Sequence, residues 1–188
     1  MSIPTMDGVT ARTITSSRIT TRVLFAGDES GIPVIFVHGN LTSATFWEEM
    51  MLTLPDGFYG IALDQRGYGD ADPNVDVDGS RGLADLSDDI IALMDTLNID
   101  KAHVVGHSLG GAVLWQLMID APDRLRSVTM AAPGSPFGFG GTKDLEGTLC
   151  SDDAAGSGGG IVNQEFIALL KKGDRGNEGQ LAPRVVMN

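Results

Sequence analysis

The stretch His103-Val104-Val105-Gly106-His107-Ser108-Leu109-Gly110-Gly111-Ala112 decides the fold. Residues 103–106 read as a short buried strand, and a helix is expected straight after Ser108, running to Asp120 where Ala121-Pro122 stops it. Between the two lies the pattern Gly-x-Ser-x-Gly. The five residues alone are a weak signal; their place between a buried strand and a helix makes them specific. A serine on so sharp a turn has its hydroxyl pushed out at the top of the sheet. Gly106 and Gly110 supply the minimal side chains such a turn demands. The start of the helix favours negative charge developing next to Ser108. A tight helix–sheet packing turn with an incidental serine is the competing reading.

Working outward, residues 9–14 and 19–25 read as strands separated by the polar turn Thr15-Ser16-Ser17-Arg18. Pro33-Val34-Ile35-Phe36-Val37 is a continuous apolar run of the kind buried on both faces, ending at His38-Gly39. A short helix is expected over 45–54, closed by Pro55, and a further buried strand over 58–63. The clearest helix covers 81–98, with Leu83, Leu86, Ile90, Leu93 and Leu97 on one stripe. Asp85, Asp88, Asp89 and Asp95 lie mainly off that stripe; a solvated face is preferred over a metal site, since no histidine is near. Residues 125–130 form one more strand. Strands alternating with helices predict an α/β chain with a mainly parallel sheet.

After Gly134 the character changes. Residues 138–141 and 156–160 are glycine-rich, and one helix is expected over 163–172. Without a preceding strand and a closing lysine–serine pair, the second glycine run is a weak phosphate signal and reads better as a lid loop.

The chain has 188 residues, 42% hydrophobic and 20% charged, within the range of one ordinary globular domain. Its net charge of −12 argues against nucleic acid. Cys150 is the sole cysteine, so no intrachain disulfide can form. No apolar run suggests a signal peptide or a membrane span, and the expected location is the cytoplasm.

His38-Gly39-Asn40-Leu41, Asp64-Gln65-Arg66-Gly67-Tyr68-Gly69 and residues 106–111 together resemble the α/β-hydrolase superfamily, over roughly residues 9–134. The resemblance implies residues 1–134 as the N-terminal part of the hydrolase core and 135–188 as a partial lid. The segment from His38 to Ser43 looks most like haloalkane dehalogenases. Those enzymes, like the related epoxide hydrolases, use an aspartate as nucleophile, whereas Ser108 points to esterases, lipases and related acyl hydrolases.

In that chemistry Ser108 is the catalytic nucleophile, and the backbone N–H groups of Asn40 and Leu109 form the oxyanion hole. His38 is expected to anchor its loop rather than act as base. The family order is serine, acid, histidine, yet His38, His103 and His107 are the only histidines and none follows Ser108. The acid and base of the triad are therefore expected outside this chain, which would end inside the lid and be nearly inactive alone. No metal or cofactor is implied. The expected partner is a small acyl substrate, with a complementary C-terminal chain or self-association as further partners.

Two other functions remain open. One is a carbon–carbon hydrolase or a cofactor-free haloperoxidase-like enzyme with the same serine turn. The other is a non-catalytic remnant that binds ligands. Trp47 and Phe137 are candidate pocket residues that serve equally well as packing.

Overall fold

In the computed structural model the described residues are 4–135, 142–144, 146, 148–152 and 163–186. The chain divides into two compact units, Met1–Pro133 and Gly134–Asn188.

The first unit is built on a six-stranded sheet: β1 (Thr10–Thr15), β2 (Thr20–Gly27), β3 (Ile32–Val37), β4 (Phe58–Leu63), β5 (Ala102–His107) and β6 (Leu125–Ala131). The spatial order is β1-β2-β4-β3-β5-β6. β1 and β2 form an antiparallel pair and β2 runs antiparallel to β4, while β4, β3, β5 and β6 are mutually parallel. The apolar runs expected to be doubly buried are so. In β3, Ile35 and Val37 face one core with Val104, Ile90 and Leu117, whereas Val34 and Phe36 face another with Trp47 and Met51. Alternate residues of a strand point to opposite faces, so a strand covered on both sides must be apolar throughout.

One face is covered by α2 (Ala84–Thr96) and α3 (Leu109–Asp120); the other by a 3₁₀ turn, Ala44–Trp47, running into α1 (Glu48–Leu52). The helix expected over 45–54 is thus two short pieces. The helix expected over 81–98 begins later, because Gly79–Arg81 forms its own 3₁₀ turn and Gly82 takes φ 60°.

The aspartates of α2 correct the expectation of a solvated face. Asp85 and Asp89 are buried. Arg66, just after β4, donates to both oxygens of Asp89, at 2.9 and 2.7 Å. Arg18, from the β1–β2 turn, donates to Asp89 and Asp85 at 2.9 Å each, and Arg81 pairs with Asp85 and Asp88. Helical periodicity identifies which residues share a face but not what distant loop covers it. Here the two segments that cover it bring arginines. Asp95 fits the expectation, being exposed and paired with Arg124. Among the described residues, no group of three side chains is arranged to hold a metal ion.

In the second unit, α4 (Gln164–Lys171) is capped by the Asn163 carboxamide, whose oxygen accepts from Glu165 and Phe166 N–H; the expected range was 163–172. A short α5 (Pro183–Val186) and an isolated bridge between Thr142 and Leu149 were not expected. The glycine runs at 138–141 and 156–160, and Phe137, lie outside the described residues.

Removing one partner from a buried, doubly hydrogen-bonded ion pair leaves an uncompensated charge. Asp89→Ala should therefore cost about 3 kcal/mol in urea denaturation, because the buried Arg66 loses both of its hydrogen bonds to that carboxylate, and should exceed the effect of Asp95→Ala at the surface.

Candidate active site

Ser108 sits between the end of β5 and the first residue of α3 with φ 53° and ψ −114°. Few non-glycine residues adopt positive φ, and the conformation costs of order 1–3 kcal/mol. Its N–H donates to the Ala131 carbonyl at 3.0 Å, tying the turn to the end of β6. The half-buried side chain makes no capping hydrogen bond to α3.

The glycines around it are required by contact. A Cβ at Gly110 would fall on the carbonyl oxygen of Val37 and lie 2.7 Å from that of His38. One at Gly106 would lie 2.7 Å from the Gly110 carbonyl group. The first turn of α3 is therefore pressed onto the end of β3. The loop that follows β3 touches the serine turn as well: a Cβ at Gly39 would stand 3.1 Å from Ser108 Cβ.

That loop is held from below. His38 is fully buried; its Nδ1–H donates to the Gly39 carbonyl at 2.8 Å and its Nε2 accepts the Gln65 N–H at 3.1 Å. This pattern needs the neutral ring, and burial pushes the His38 pKa down. His38 is thus an anchor, as the sequence suggested. Asn40 is exposed, with its side-chain oxygen accepting from Leu41 N–H at 3.0 Å and from the Tyr68 hydroxyl at 2.7 Å. Leu41 takes φ 56°. Leu109 opens α3, so its N–H belongs to the first turn, whose donors have no partner within the helix.

Sequence reading recognised the turn from Asp64 to Gly69 but gave Asp64 and Tyr68 no role of their own. Asp64 is almost fully buried; one carboxylate oxygen accepts Ala44 N–H at 2.7 Å and the other Asp70 N–H at 2.9 Å. A Cβ at Gly69, where φ is 53°, would collide with this carboxylate. The pattern of an aspartate ending a buried strand, with glycine five residues on, was the available signal. Trp47 is a core residue packed on Phe36 with ring centroids 5.2 Å apart, which leaves the packing alternative.

A model of the alpha/beta hydrolase fold matches residues 32–147. The chain belongs to the α/β-hydrolase fold family. The AB hydrolase superfamily protein YfhM of Bacillus subtilis is 37% identical over 124 residues, which cover 65% of this chain and 43% of YfhM. Among solved structures, an epoxide hydrolase from Vigna radiata superposes with a TM-score of 0.60 at 29% identity, over 66% of this chain and 40% of that one. The 2-hydroxy-6-oxo-6-phenylhexa-2,4-dienoate hydrolase of Rhodococcus sp. strain RHA1 gives a TM-score of 0.64 at 26% identity, over 73% and 50%. The chain thus spans less than half the length of the curated relatives it matches. Among the described residues no helix is long and apolar enough to cross a membrane.

The other two histidines of this hydrolase-family chain have contacts of their own. His103 Nδ1 pairs with Ser127 Oγ at 2.7 Å. The His107 ring stacks on Phe46 with centroids 4.9 Å apart.

Two outcomes follow from the packing and the protonation state. Gly110→Ala should lower stability by at least about 2 kcal/mol in urea denaturation, because backbone rather than a yielding side chain meets the new methyl; parent-like stability would contradict the close approach. With the His38 pKa depressed in the fold, the unfolded chain takes up the proton first, so its contribution is complete above the ordinary value near 6.5 and is lost as pH falls below it. Thermal midpoints measured from pH 7.5 to 5 should fall through that window, and should fall less steeply in His38→Gln.

Proposed function

We propose that this chain is the nucleophile-bearing part of a serine hydrolase acting on carboxylic esters or related acyl compounds. The observation that carries the reading is Ser108 held at positive φ on the junction of β5 and α3, beside the loop that contains Asn40. Ser108 Oγ forms a bond to the substrate carbonyl carbon as its proton passes to a base, and the carbonyl oxygen takes the negative charge. The N–H groups of Asn40 and Leu109 receive that oxyanion, each such donor being worth roughly 10²–10³ in turnover. Collapse expels the alcohol with the proton returned, and water then releases the acid from the acyl-enzyme by the same steps.

The base and the acid that orients it come, in this reading, from outside these residues, on further sequence or on a complementary chain. The segment from residue 135 serves as part of the lid. A small acyl compound is the partner this chemistry needs, in the cytoplasm; an acidic chain of net charge −12 is unsuited to nucleic acid. A carbon–carbon hydrolase is the second reading, favoured by the likeness to the Rhodococcus dienoate hydrolase. Turnover of a vinylogous diketone without turnover of simple esters would select it.

Loss of the histidine in a serine enzyme costs about 2 × 10⁶ in turnover. The isolated chain should therefore cleave a nitrophenyl ester no faster than its Ser108→Ala variant. Fused to the C-terminal part of the Bacillus subtilis relative, it should be labelled by a fluorophosphonate on the peptide containing Ser108. Equal labelling of Ser108→Ala in that fusion would overturn the assignment.

A further inference from the structure

The Tyr68 hydroxyl lies 2.7 Å from the side-chain oxygen of Asn40, the same oxygen that accepts Leu41 N–H at 3.0 Å. Asn40 and Tyr68 belong to different loops, one after β3 and one after β4, and nothing in the course of either backbone requires that meeting. Tyr68 is itself fixed: its N–H donates to the Gln65 carbonyl at 2.9 Å, its carbonyl accepts Ala71 N–H at 3.1 Å, and its ring stands edge-on to His38 with centroids 5.3 Å apart. The tyrosine thus reaches the outer end of the His38–Leu41 loop from the same platform that His38 secures at the inner end.

We infer that Tyr68 is a positioning residue for the oxyanion hole: by donating to Asn40 it fixes the carboxamide, and through the carboxamide's bond to Leu41 N–H it fixes the backbone just after Asn40, the residue whose own N–H is the proposed donor. This rests on the serine-hydrolase reading for the purpose of the loop, but the latch itself does not. With its oxygen occupied by two donors, the Asn40 side chain has one orientation in which both bonds are made. Leu41, at φ 56°, is the position at which an unlatched loop would relax, because non-glycine residues hold that conformation only when their surroundings impose it. Burial raises the Tyr68 pKa, so the phenol keeps its proton and remains a donor across the pH range in which serine hydrolases work. The ring also covers His38, but that function needs no hydroxyl. The hydroxyl is therefore the atom that separates latching from packing.

Tyr68→Phe removes that atom and keeps the ring, so the variant should fold. Amide hydrogen exchange in the 188-residue chain should quicken about tenfold at Leu41, the value of one modest hydrogen bond, and stay unchanged at Gln65, whose N–H is held by His38. Labelling of Ser108 by a fluorophosphonate in the fusion to the C-terminal part of the Bacillus subtilis relative should slow about tenfold. In an Asn40→Ala background the same substitution should change neither quantity further. Unchanged exchange at Leu41, or a full additional loss in the Asn40→Ala background, would overturn the latch and return Tyr68 to packing. Failure of the parent fusion to label at all would count against the serine reading, while the exchange data would still decide the latch.

Discussion

The close approach of Gly110 to the carbonyl oxygens of Val37 and His38 is the constraint on which the rest of the site depends. It presses the first turn of α3 against the end of β3, so the strand that carries Ser108 and the strand that carries the His38–Leu41 loop end side by side. Only a residue without Cβ permits it. Because β3 and β5 are hydrogen-bonded neighbours in the sheet, the register Val37 opposite Gly106 sets the height at which loop and serine meet. Sheet pairing supplies the coarse alignment and two glycines the final ångström. The oxyanion chemistry proposed for this corner depends on that ångström, since a donor acts only within hydrogen-bond reach of the developing charge.

A second tier keeps the loops from sagging away from this corner. The Asp64 carboxylate is dry, yet it takes Ala44 N–H with one oxygen and Asp70 N–H with the other. Such bonds compensate a buried charge and fix two loops to one point. Arg66, two residues on, carries the same platform to α2 through Asp89. Taking these charges out of water offsets much of what their attraction gains, so the network adds less to stability than its number of bonds suggests. Its effect is geometric. Arg18 and Arg66 meet on one carboxylate, which fixes the β1–β2 turn, the loop after β4 and the start of α2 relative to one another.

The sheet and the serine turn were legible in the sequence because their signals are local. Strand 58–63 agrees with the structure at both ends, and the others within about two residues, since each apolar run must fill a doubly covered strand. Gly106, Ser108 and Gly110 are read from five consecutive positions. The ion network was not legible. Asp85 and Asp89 look like a solvated helix face until Arg18 and Arg66, 67 and 23 residues away along the chain, are folded onto them. Tyr68 was hidden for the same reason. Its motif was recognised, but its partner Asn40 lies 28 residues earlier, and only the pairing of β3 with β4 brings their loops together.

The incidental-serine alternative can be weighed on energetic grounds. A packing turn at φ 53° is met most cheaply by glycine, which pays no Cβ penalty there. Serine accepts that penalty, and a structural role would have to recover it through a local hydrogen bond, most simply by capping α3. No such cap is made. The strain at Ser108 is instead supported from outside, by the Ala131 carbonyl on its N–H and by the glycine contacts that pin the helix start. A strained residue with an uncommitted cap position, held by its surroundings beside a loop that is itself latched, is better explained by what its hydroxyl can do to a bound carbonyl than by what it does for the fold.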